Sequence, residues 1–564
     1  MMNSLKTWKY LLPVTIFFVF IINLLQGAYT ELLPDEAYYW MYSQNMDWGF
    51  YDHPPAVSVW IYLSSLFFSG EIGVRFFSAV SYCVIIWMVW KTIDHPRKKE
   101  FTWLFLTIIL SSVLLSVYGF ITTPDTALMM FYSVFLYAYH MYLSKNSLMS
   151  YLLLSISIAG MMYSKYHGFL IILFVILSNF KLLKDSKLWL TVLFSVVLYF
   201  PHLYWQWNND FISFKFHLIE RGNRVYKFEN TLLHFVNIIV IFGFTFPIIY
   251  QAFFKYIKTK NQFLKSLNYI VLGFIIFFFL SSFKGHVQAQ WVIAMAIPLT
   301  IITFLFLIDY EKSRKRFLIL AILNFVIILM ARVHIAEPFL PIKIETEGNK
   351  KWATELKEKT QGTKKLFINS YQHAATYWYY ANEKSYYLRN YTGRTNHFSL
   401  LQINKDLSED NLFLVRKVRS TPLDIGIGVR KKDSIFAEPV KNYRDISQIE
   451  VNILNEKILL SDIDENILEL ELVNHFDRTI ALNEFQIVIG FVSADKSNMY
   501  WLEAETNSQN LTLPSKTPVR ANISFDGTQI KDPTLYVNIG IGLFNSPQVD
   551  IIRASQNHKY QIKK

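Results

Sequence analysis

Residues 31–55 read ELLPDEAYYWMYSQNMDWGFYDHPP and directly follow an apolar run at 8–28. A run of about 20 apolar residues is long enough to cross a bilayer. The stretch after it contains five acids and no Lys or Arg. Carboxylates held against a membrane are costly, and they usually persist because a metal ion, a cationic group or a reaction requires them. The stretch therefore indicates a functional loop in a membrane protein.

Apolar runs divide the chain into a membrane part and a water-soluble part. Of the 564 residues, 52% are hydrophobic, and long apolar runs stop near residue 334. The predicted spans, eleven in number, are 8–28, 72–91, 102–119, 125–143, 149–163, 168–181, 188–206, 232–254, 267–283, 288–308 and 317–334. No small-residue cleavage site follows the first span, so we expect it to be a retained anchor.

The basic residues predict the orientation of these spans. If the N-terminus is cytoplasmic, every inside loop is basic, whereas the outside loops hold few cations. This distribution satisfies the positive-inside rule. The formal net charge of +12 therefore reflects membrane topology, and no nucleic-acid role is predicted. The acidic stretch and the C-terminal part are then both expected on the external face.

The water-soluble part changes character near residue 440. Residues 335–440 alternate strand-like runs with one helical run at 371–381, which is typical of a small α/β unit. Residues 441–564 alternate with period two between turn residues, which is typical of a β-sandwich. We therefore expect three domains: a multi-spanning domain at 1–334, an external α/β domain at 335–440 and a β-sandwich-like domain at 441–564.

The catalytic candidates are acids at the starts of two external segments. Asp35 and Glu36 follow Pro34, and Asp125 opens the fourth predicted span. Asp35 and Asp125 could simply cap helices, with Glu36 favouring a helix dipole. Alternatively, Asp35 is a general base that accepts the proton of a hydroxyl group. We take Asp35, Glu36 and Asp125 as the catalytic candidates.

The substrate-binding candidates combine external cations with the end of the acidic loop. Lone cations at span ends often only reach toward water, but Lys165 and Lys284 lie on the face that otherwise avoids positive charge. They are therefore expected to bind an anion such as phosphate. The candidates are Tyr51, Asp52, His53, Lys165, His167, Arg221, Lys284 and His286. The acids lack zinc-type spacing, and a divalent cation is left open as the only candidate cofactor.

Taken in order, these motifs resemble one family. They are LPDEAYYW (33–40), YDHPP (51–55), TPDTAL (123–128), SKYHG (164–168), the segment 205–221 and SFKGHVQAQW (282–291). They are similar to the bacterial members of the protein O-mannosyltransferase superfamily, which are multi-spanning glycosyltransferases of the GT-C fold, related to the aminoarabinose transferases. The resemblance implies a polytopic α-helical GT-C-like protein of about eleven spans, with the external α/β unit and β-sandwich attached.

The resemblance also implies roles for single residues. Asp35 corresponds to the base in the first external loop, and Asp125 to the second external acid. Lys165 and Lys284 fall where relatives place groups near a lipid phosphate. His53 departs from the Lys that aminoarabinose transferases carry before the proline, so the identity of the sugar stays open. Gln290 departs from a His that is common in the bacterial group.

The function implied is an inverting transfer of a sugar from a polyprenyl-phosphate donor to a lipid, glycan or protein acceptor. The enzyme would lie in the bacterial cytoplasmic membrane, with its active site and C-terminal part on the external side. The alternative is a lipid or polysaccharide transporter or flippase, which would need ionisable residues within spans and access from both faces. A third alternative is an anchored binding protein whose C-terminal part carries the activity.

Overall fold

A computed structural model describes two compact units, Met1–Glu347 and Gly348–Lys564. The described residues are 2–220, 226–390, 394–401, 404, 407, 410–417, 419, 424–430, 433–443, 445–493, 498–506, 511–532, 535–544, 552–555 and 558–562. The first unit is helical and the second is rich in strands. Together they match the polytopic helical protein with a strand-rich C-terminal part that the sequence predicts.

The first unit is helical. Its helices are α1 Met2–Tyr29, α2 Pro34–Gln44, α3 Ala56–Ser65, α4 Gly70–Thr92, α5 Thr102–Leu110, α6 Val113–Val117, α7 Pro124–Lys145, α8 Leu148–Ser164, α9 Gly168–Ser178, α10 Ser186–Asn208, α11 Ile212–Lys215, α12 Phe228–Val240, α13 Phe246–Tyr256, α14 Gln262–Ser282, α15 Ala296–Asp309 and α16 Glu311–Ala336.

Helices lie at each of the predicted span positions, but they differ in length. Within the described residues, five helices are long and apolar enough to cross a membrane, or six if a bent pair counts as one span. They are α4, α10, α14, α16 and the Tyr10–Tyr29 part of α1. Several other apolar helices are shorter, and α15 starts at Ala296 instead of the predicted 288. The number of eleven spans stays a prediction.

The core of the first unit surrounds α15. Nearly every side chain from Ala296 to Ile308 is buried, and α15 packs against α5, α13, α14 and α16. A helix that is apolar on all sides is stable only when protein or lipid covers every face. In this unit α15 is the central helix, whereas α10 and α16 expose most of their apolar residues.

The predicted span at 232–254 is broken, because α12 and α13 meet at an angle of 92°. Asn324 of α16 is fully buried beside the break. Its Oδ1 accepts the backbone N–H of Phe244 at 2.8 Å, and its Nδ2 donates to the carbonyls of Ser111 and Phe242 at 2.9 and 2.6 Å. Non-helical backbone at membrane depth requires such partners. The side-chain amide of Asn324 therefore supplies hydrogen-bond partners to backbone groups at the ends of both α5 and α12.

We expect Asn324→Leu to destabilise the first unit by at least about 2 kcal/mol, because each buried polar group left without a partner costs about 1–3 kcal/mol. The loss is measured as the fall in the unfolding midpoint of the protein in detergent. Leu329→Ala, on the lipid-facing side of α16 with 63% exposure, is the matched control and should change the midpoint little. Equal stability of Asn324→Leu and wild type would contradict this role.

The second unit begins with an α/β layer. Its helices are α17 Asn349–Lys359, α18 Tyr371–Ala381 and α19 His397–Leu401, and its strands are β1 Lys364–Ile368, β2 Tyr386–Leu388, β3 Asp410–Arg416, β4 Ile425–Arg430 and β5 Asp433–Tyr443. The sheet order is β2-β1-β3-β5-β4, with β2, β1 and β3 parallel. Helix α18 matches the predicted helical run, but the expectation of only one helix is wrong, because α17 and α19 flank it.

The rest of the second unit is made of strands. They are β6 Ile449–Ile453, β7 Ile458–Leu460, β8 Glu465–Asn474, β9 Ile480–Ala481, β10 Gln486–Ser493, β11 Met499–Glu503, β12 Glu505–Thr506, β13 Thr512–Leu513, β14 Pro518–Asp526, β15 Tyr536–Phe544, β16 Ile552–Arg553 and β17 His558–Ile562. Alternate residues of β8 are buried. Phe491 of β10 contacts Phe525 of β14 at 6.1 Å between ring centroids, which joins the two main sheets. Whether 335–440 and 441–564 are separate domains stays a prediction.

Candidate functional site

Glu36 is held by four donors at the start of α2. Its side chain is fully buried, and Oε1 accepts the Arg75 Nε–H and the Thr122 backbone N–H, each at 2.8 Å. Oε2 accepts the Leu33 backbone N–H at 2.9 Å and a second N–H from Arg75. A bidentate Arg–carboxylate pair is among the stronger charge-assisted contacts in proteins. Glu36 therefore joins α2 to α4 and to the segment before α7.

Arg75 of α4 also binds backbone carbonyls at the end of α1. Its Nη1 donates to the carbonyls of Gly27 and Thr30 at 3.0 and 2.6 Å, and its Nη2 donates to the carbonyl of Glu31 at 3.0 Å. The last carbonyls of a helix have no partner within the helix, so the guanidinium supplies one. The catalytic role of Glu36 stays a prediction; because its carboxylate is taken up by these contacts, we propose that it positions the first loop.

Asp35 lies one residue before this buried pair but is partly exposed. Helix α2 begins at Pro34 after Leu33, so Asp35 is inside the first turn and is not the N-cap. Residues three, four and seven positions apart share one face of a helix. Asp35 therefore shares a face with Tyr38, Tyr39 and Tyr42, which lead toward the end of the acidic loop.

Asp52 points into the protein, toward this tyrosine face. Its Oδ2 accepts the hydroxyls of Tyr38 at 2.9 Å and Tyr42 at 3.2 Å, and all three side chains are buried. Burial, together with nearby Tyr38 and Asp52, raises the pKa of Tyr42 well above its ordinary value. Tyr42 therefore remains a hydrogen-bond donor. The neighbouring His53 is half-buried, with its ring 5.8 Å from that of Tyr39.

Alternate backbone carbonyls of the loop are bonded to side chains of the segment 202–217. His202 Nδ1 donates to the carbonyl of Trp48 at 2.7 Å, Ser213 Oγ donates to that of Phe50 at 2.9 Å, and His217 Nε2 donates to that of Asp52 at 2.8 Å. The sequence analysis did not identify these three donors. They fix the loop at every second residue.

The loop also packs closely on α10. Trp205 Nε1 donates to Asp47 Oδ2 at 2.6 Å. A Cβ at Gly49 would lie 2.3 Å from the Trp205 indole, so only glycine permits this approach. Tyr51 is buried against Phe216, with ring centroids 5.0 Å apart, so its ring is part of the packing between these segments.

Asp125 and Lys165 bind each other. Lys165 Nζ lies 2.8 Å from both carboxylate oxygens of Asp125, and both side chains are more than nine-tenths buried. Asp125 lies in the first turn of α7, after the N-cap Thr123, so it is not itself the cap. Lys165 follows the last residue of α8. The pair joins two segments that are 40 residues apart in the chain.

The other candidate residues are distributed around this centre. His167 packs on Phe278 and Trp291, with ring centroids 5.3 and 5.7 Å away. Lys284 and His286 are exposed just after α14. Arg221, a substrate-binding candidate, lies outside the described residues.

The predicted acids do not combine into a metal site. Among the described residues, no group of three or more His, Cys, Asp or Glu side chains could hold a metal ion. Glu36 is bonded to Arg75, Asp125 to Lys165, and Asp52 to two tyrosines. These residues do not fit a divalent cation, and we derive no step through one.

Part of this site matches a known family. Residues 52–205 match the family of dolichyl-phosphate-mannose-protein mannosyltransferases, which is just over a quarter of the chain. The matched segment includes Asp52, His53, Asp125, Lys165 and Trp205. No curated protein is significantly similar to the chain in sequence.

Solved structures are similar over most of the chain. ArnT from Cupriavidus metallidurans in the apo state is 13% identical, with a TM-score of 0.61, covering 77% of this chain and 98% of ArnT. The same protein bound to undecaprenyl phosphate is 14% identical, with a TM-score of 0.59 and the same coverage. At this identity the likeness establishes the fold. The chain therefore has the GT-C fold of ArnT, and over residues 52–205 it is similar to the dolichyl-phosphate-mannose-protein mannosyltransferases.

Proposed function

We propose that this protein is an integral membrane glycosyltransferase. It moves a sugar from a polyprenyl-phosphate donor to an acceptor hydroxyl on the external face, with inversion at the anomeric carbon. The observation that carries the proposal is the convergence of the first loop with the ends of α4, α7, α8 and α10. Glu36 binds Arg75, Asp125 binds Lys165 and Asp52 accepts from Tyr38, and Asp35, next to Glu36 in the chain, is partly exposed.

The choice of donor has two supports. The family matched by residues 52–205 is described by a dolichyl-phosphate-linked mannose, and the ArnT structure contains undecaprenyl phosphate. Both are polyprenyl phosphates. The external location rests on the charge pattern of the loops. Nucleotide sugars are absent outside the cytoplasmic membrane, whereas a lipid-linked sugar can be presented there.

In the proposed mechanism, Asp35 accepts the proton of the acceptor hydroxyl as its oxygen attacks the anomeric carbon. The bond from that carbon to the phosphate oxygen breaks, and the polyprenyl phosphate leaves with the electron pair. Holding both reactants in line supplies much of the acceleration, and cations stabilise the leaving phosphate. Lys284, His53 and Arg221 are the proposed phosphate contacts. The Asp125–Lys165 pair would hold the ends of α7 and α8 around the reacting groups.

The proposal is tested with the purified protein in vesicles. Undecaprenyl-phosphate sugars are supplied as a panel, and mass spectrometry of the lipid, glycan and protein fractions detects an added sugar. Transfer from at least one donor, with release of undecaprenyl phosphate, is expected. Two results, obtained with protein shown to be folded, would argue against the function. One is hydrolysis of the donors without transfer, and the other is transfer from none of the panel.

Lys284→Ala is expected to weaken the binding of undecaprenyl phosphate by at least about tenfold, because a hydrogen bond to a charged group contributes about 1.5–3 kcal/mol. Lys284 is exposed, and no carboxylate pairs with it in the part of the chain that the structure describes. The measurement is a titration with the lipid phosphate in detergent. Lys260→Ala, an exposed cation just before α14 and at its opposite end, is the control. Equal affinities for both variants would remove Lys284 from the phosphate site.

A further inference from the structure

A chain of hydrogen bonds runs beneath the first loop. Gln206 Nε2 donates to the Tyr166 hydroxyl at 2.8 Å, and that hydroxyl lies 3.2 Å from His202 Nε2. His202 Nδ1 donates to the Trp48 carbonyl, so its Nε2 carries the lone pair and accepts from Tyr166. Burial raises the pKa of Tyr166 well above its ordinary value, which keeps this hydroxyl protonated. With this tautomer, Tyr166 accepts from Gln206 and donates to His202.

This direction also fixes the orientation of the Gln206 amide. Its Nε2 lies 3.4 Å from His202 Nε2, so the flipped amide would place an oxygen against the imidazole lone pair. In the fixed orientation Oε1 is the unused end of the amide. Gln206 is 0% exposed, and Oε1 has no hydrogen-bond partner within the described part of the chain.

A second polar atom in the same cluster is also unsatisfied. Tyr199 lies two turns before Gln206 on α10, is 6% exposed, and its hydroxyl has no partner among the described residues. Its ring lies 5.0 Å from both Tyr163 and His202. Two unsatisfied atoms, Gln206 Oε1 and the Tyr199 hydroxyl, therefore lie in one cluster with Tyr163, Tyr166 and His202.

Buried polar groups in proteins nearly always have partners, so two unsatisfied atoms in one cluster indicate a partner outside the chain. The members of the hydrogen-bonded chain are neutral: an amide, tyrosine hydroxyls and an imidazole whose two nitrogens are already used. A phosphate would require cations, whereas neutral hydrogen-bonding groups among aromatic rings suit a hydroxyl-bearing ligand. The sugar ring of a lipid-linked donor has this chemistry.

We infer that Gln206 Oε1 and the Tyr199 hydroxyl bind hydroxyl groups of the donor sugar. The inference rests on the proposed function, because it assumes that a lipid-linked sugar enters the site. It separates two parts of the donor: this cluster holds the sugar, and the external cations hold the phosphate. Gln206 and Tyr199 thereby determine which sugar is accepted, because a site built around a substrate hydroxyl discriminates strongly against analogues without it.

The test compares two ligands on the purified full-length protein. Affinities are measured for undecaprenyl phosphate and for undecaprenyl-phosphate mannose, glucose and 4-amino-arabinose. At least one sugar-bearing lipid is expected to bind more tightly than the plain lipid. Gln206→Leu should weaken the tightest of these by about tenfold and leave the affinity for undecaprenyl phosphate unchanged.

Tyr199→Phe provides a second test that does not depend on tolerance of Gln206→Leu. It removes a hydroxyl that has no partner among the residues the structure describes, so stability should be equal or higher while affinity for the sugar-bearing lipid falls. Asn208→Leu, at an exposed amide of the same helix, is the control and should change neither.

Two results would overturn the inference. One is an equal affinity of the wild type for plain and sugar-bearing lipids; the other is an unchanged preference for the sugar in both variants, as expected if the cluster holds only a water molecule. Neither result would remove the proposed function, which depends on sugar transfer. Conversely, a sugar-dependent affinity without any transfer would contradict the proposed function and leave the subsite in place.

Discussion

Asp35→Asn is expected to lower the rate of sugar transfer by about 10²–10⁴-fold, the usual contribution of a positioned general base. Asn has nearly the same size and hydrogen-bonding reach, but its amide cannot accept the proton of the acceptor. Because Asp35 is partly exposed and Glu36 makes the buried contacts of this turn, the substitution should leave the fold intact. The measurement is the initial rate of transfer at saturating donor.

The matched control for this prediction is Asp210→Asn. Asp210 is an exposed acid with a positive φ of 51°, a conformation that Asn tolerates well. It should retain the wild-type rate and the wild-type unfolding midpoint. Wild-type transfer by folded Asp35→Asn would remove Asp35 as the base. An equal loss of rate in both variants would indicate a general effect of removing negative charge.

The elements that were predicted well are those that depend on local patterns of residues in the sequence. Apolar length placed helices at all the span positions, and period-two alternation identified strands such as β8 and β15. The helix at 371–381 followed from its own composition. These patterns succeed because burial of one face or of a whole segment sets the hydrophobic period of the residues concerned.

The break after α12 shows where local patterns fail. Residues 232–254 are predominantly apolar and contain no Asp, Glu, Lys or Arg, so hydropathy predicts one straight span. The bend depends on Asn324, about 80 residues later, and on Gly243, whose φ is +55° and whose Cβ position would lie 2.6 Å from Asn324 Oδ1. A glycine within an apolar run and an amide in a later span were the available signals, and neither reveals its partner.

The candidate site was only partly predictable for a similar reason. The charge pattern gathered Asp35, Asp125 and Lys165 on one face, but it could not show that Asp125 binds Lys165 directly. The three bonds from His202, Ser213 and His217 that fix the first loop could not be predicted, because their acceptors are backbone carbonyls and no side-chain motif marks a backbone acceptor. Arg75 did carry a signal, since it is the only charged residue between 72 and 90. A lone charge inside a span usually marks a required contact.

Arg75→Met is expected to destabilise the first unit by about 3–5 kcal/mol, because it leaves the Glu36 carboxylate buried without its counter-charge. The carbonyls at the end of α1 lose their donors in the same step. The unfolding midpoint in detergent measures the effect. Arg75→Lys keeps the charge but loses the bidentate geometry, so its stability should lie between that of Arg75→Met and the wild type.

The double variant Arg75→Met with Glu36→Gln tests whether Arg75 and Glu36 stabilise the protein as a pair or independently. The neutral amide keeps one acceptor oxygen, for the N–H of Leu33 or of Thr122, and leaves no buried charge, so the double variant should be more stable than the two single losses combined would predict. If Glu36 only positions the loop, a folded double variant should transfer sugar more slowly than wild type but far faster than Asp35→Asn. Additive stabilities would mean that the ion pair does not hold the loop, and a rate as low as that of Asp35→Asn would return Glu36 to the chemistry itself.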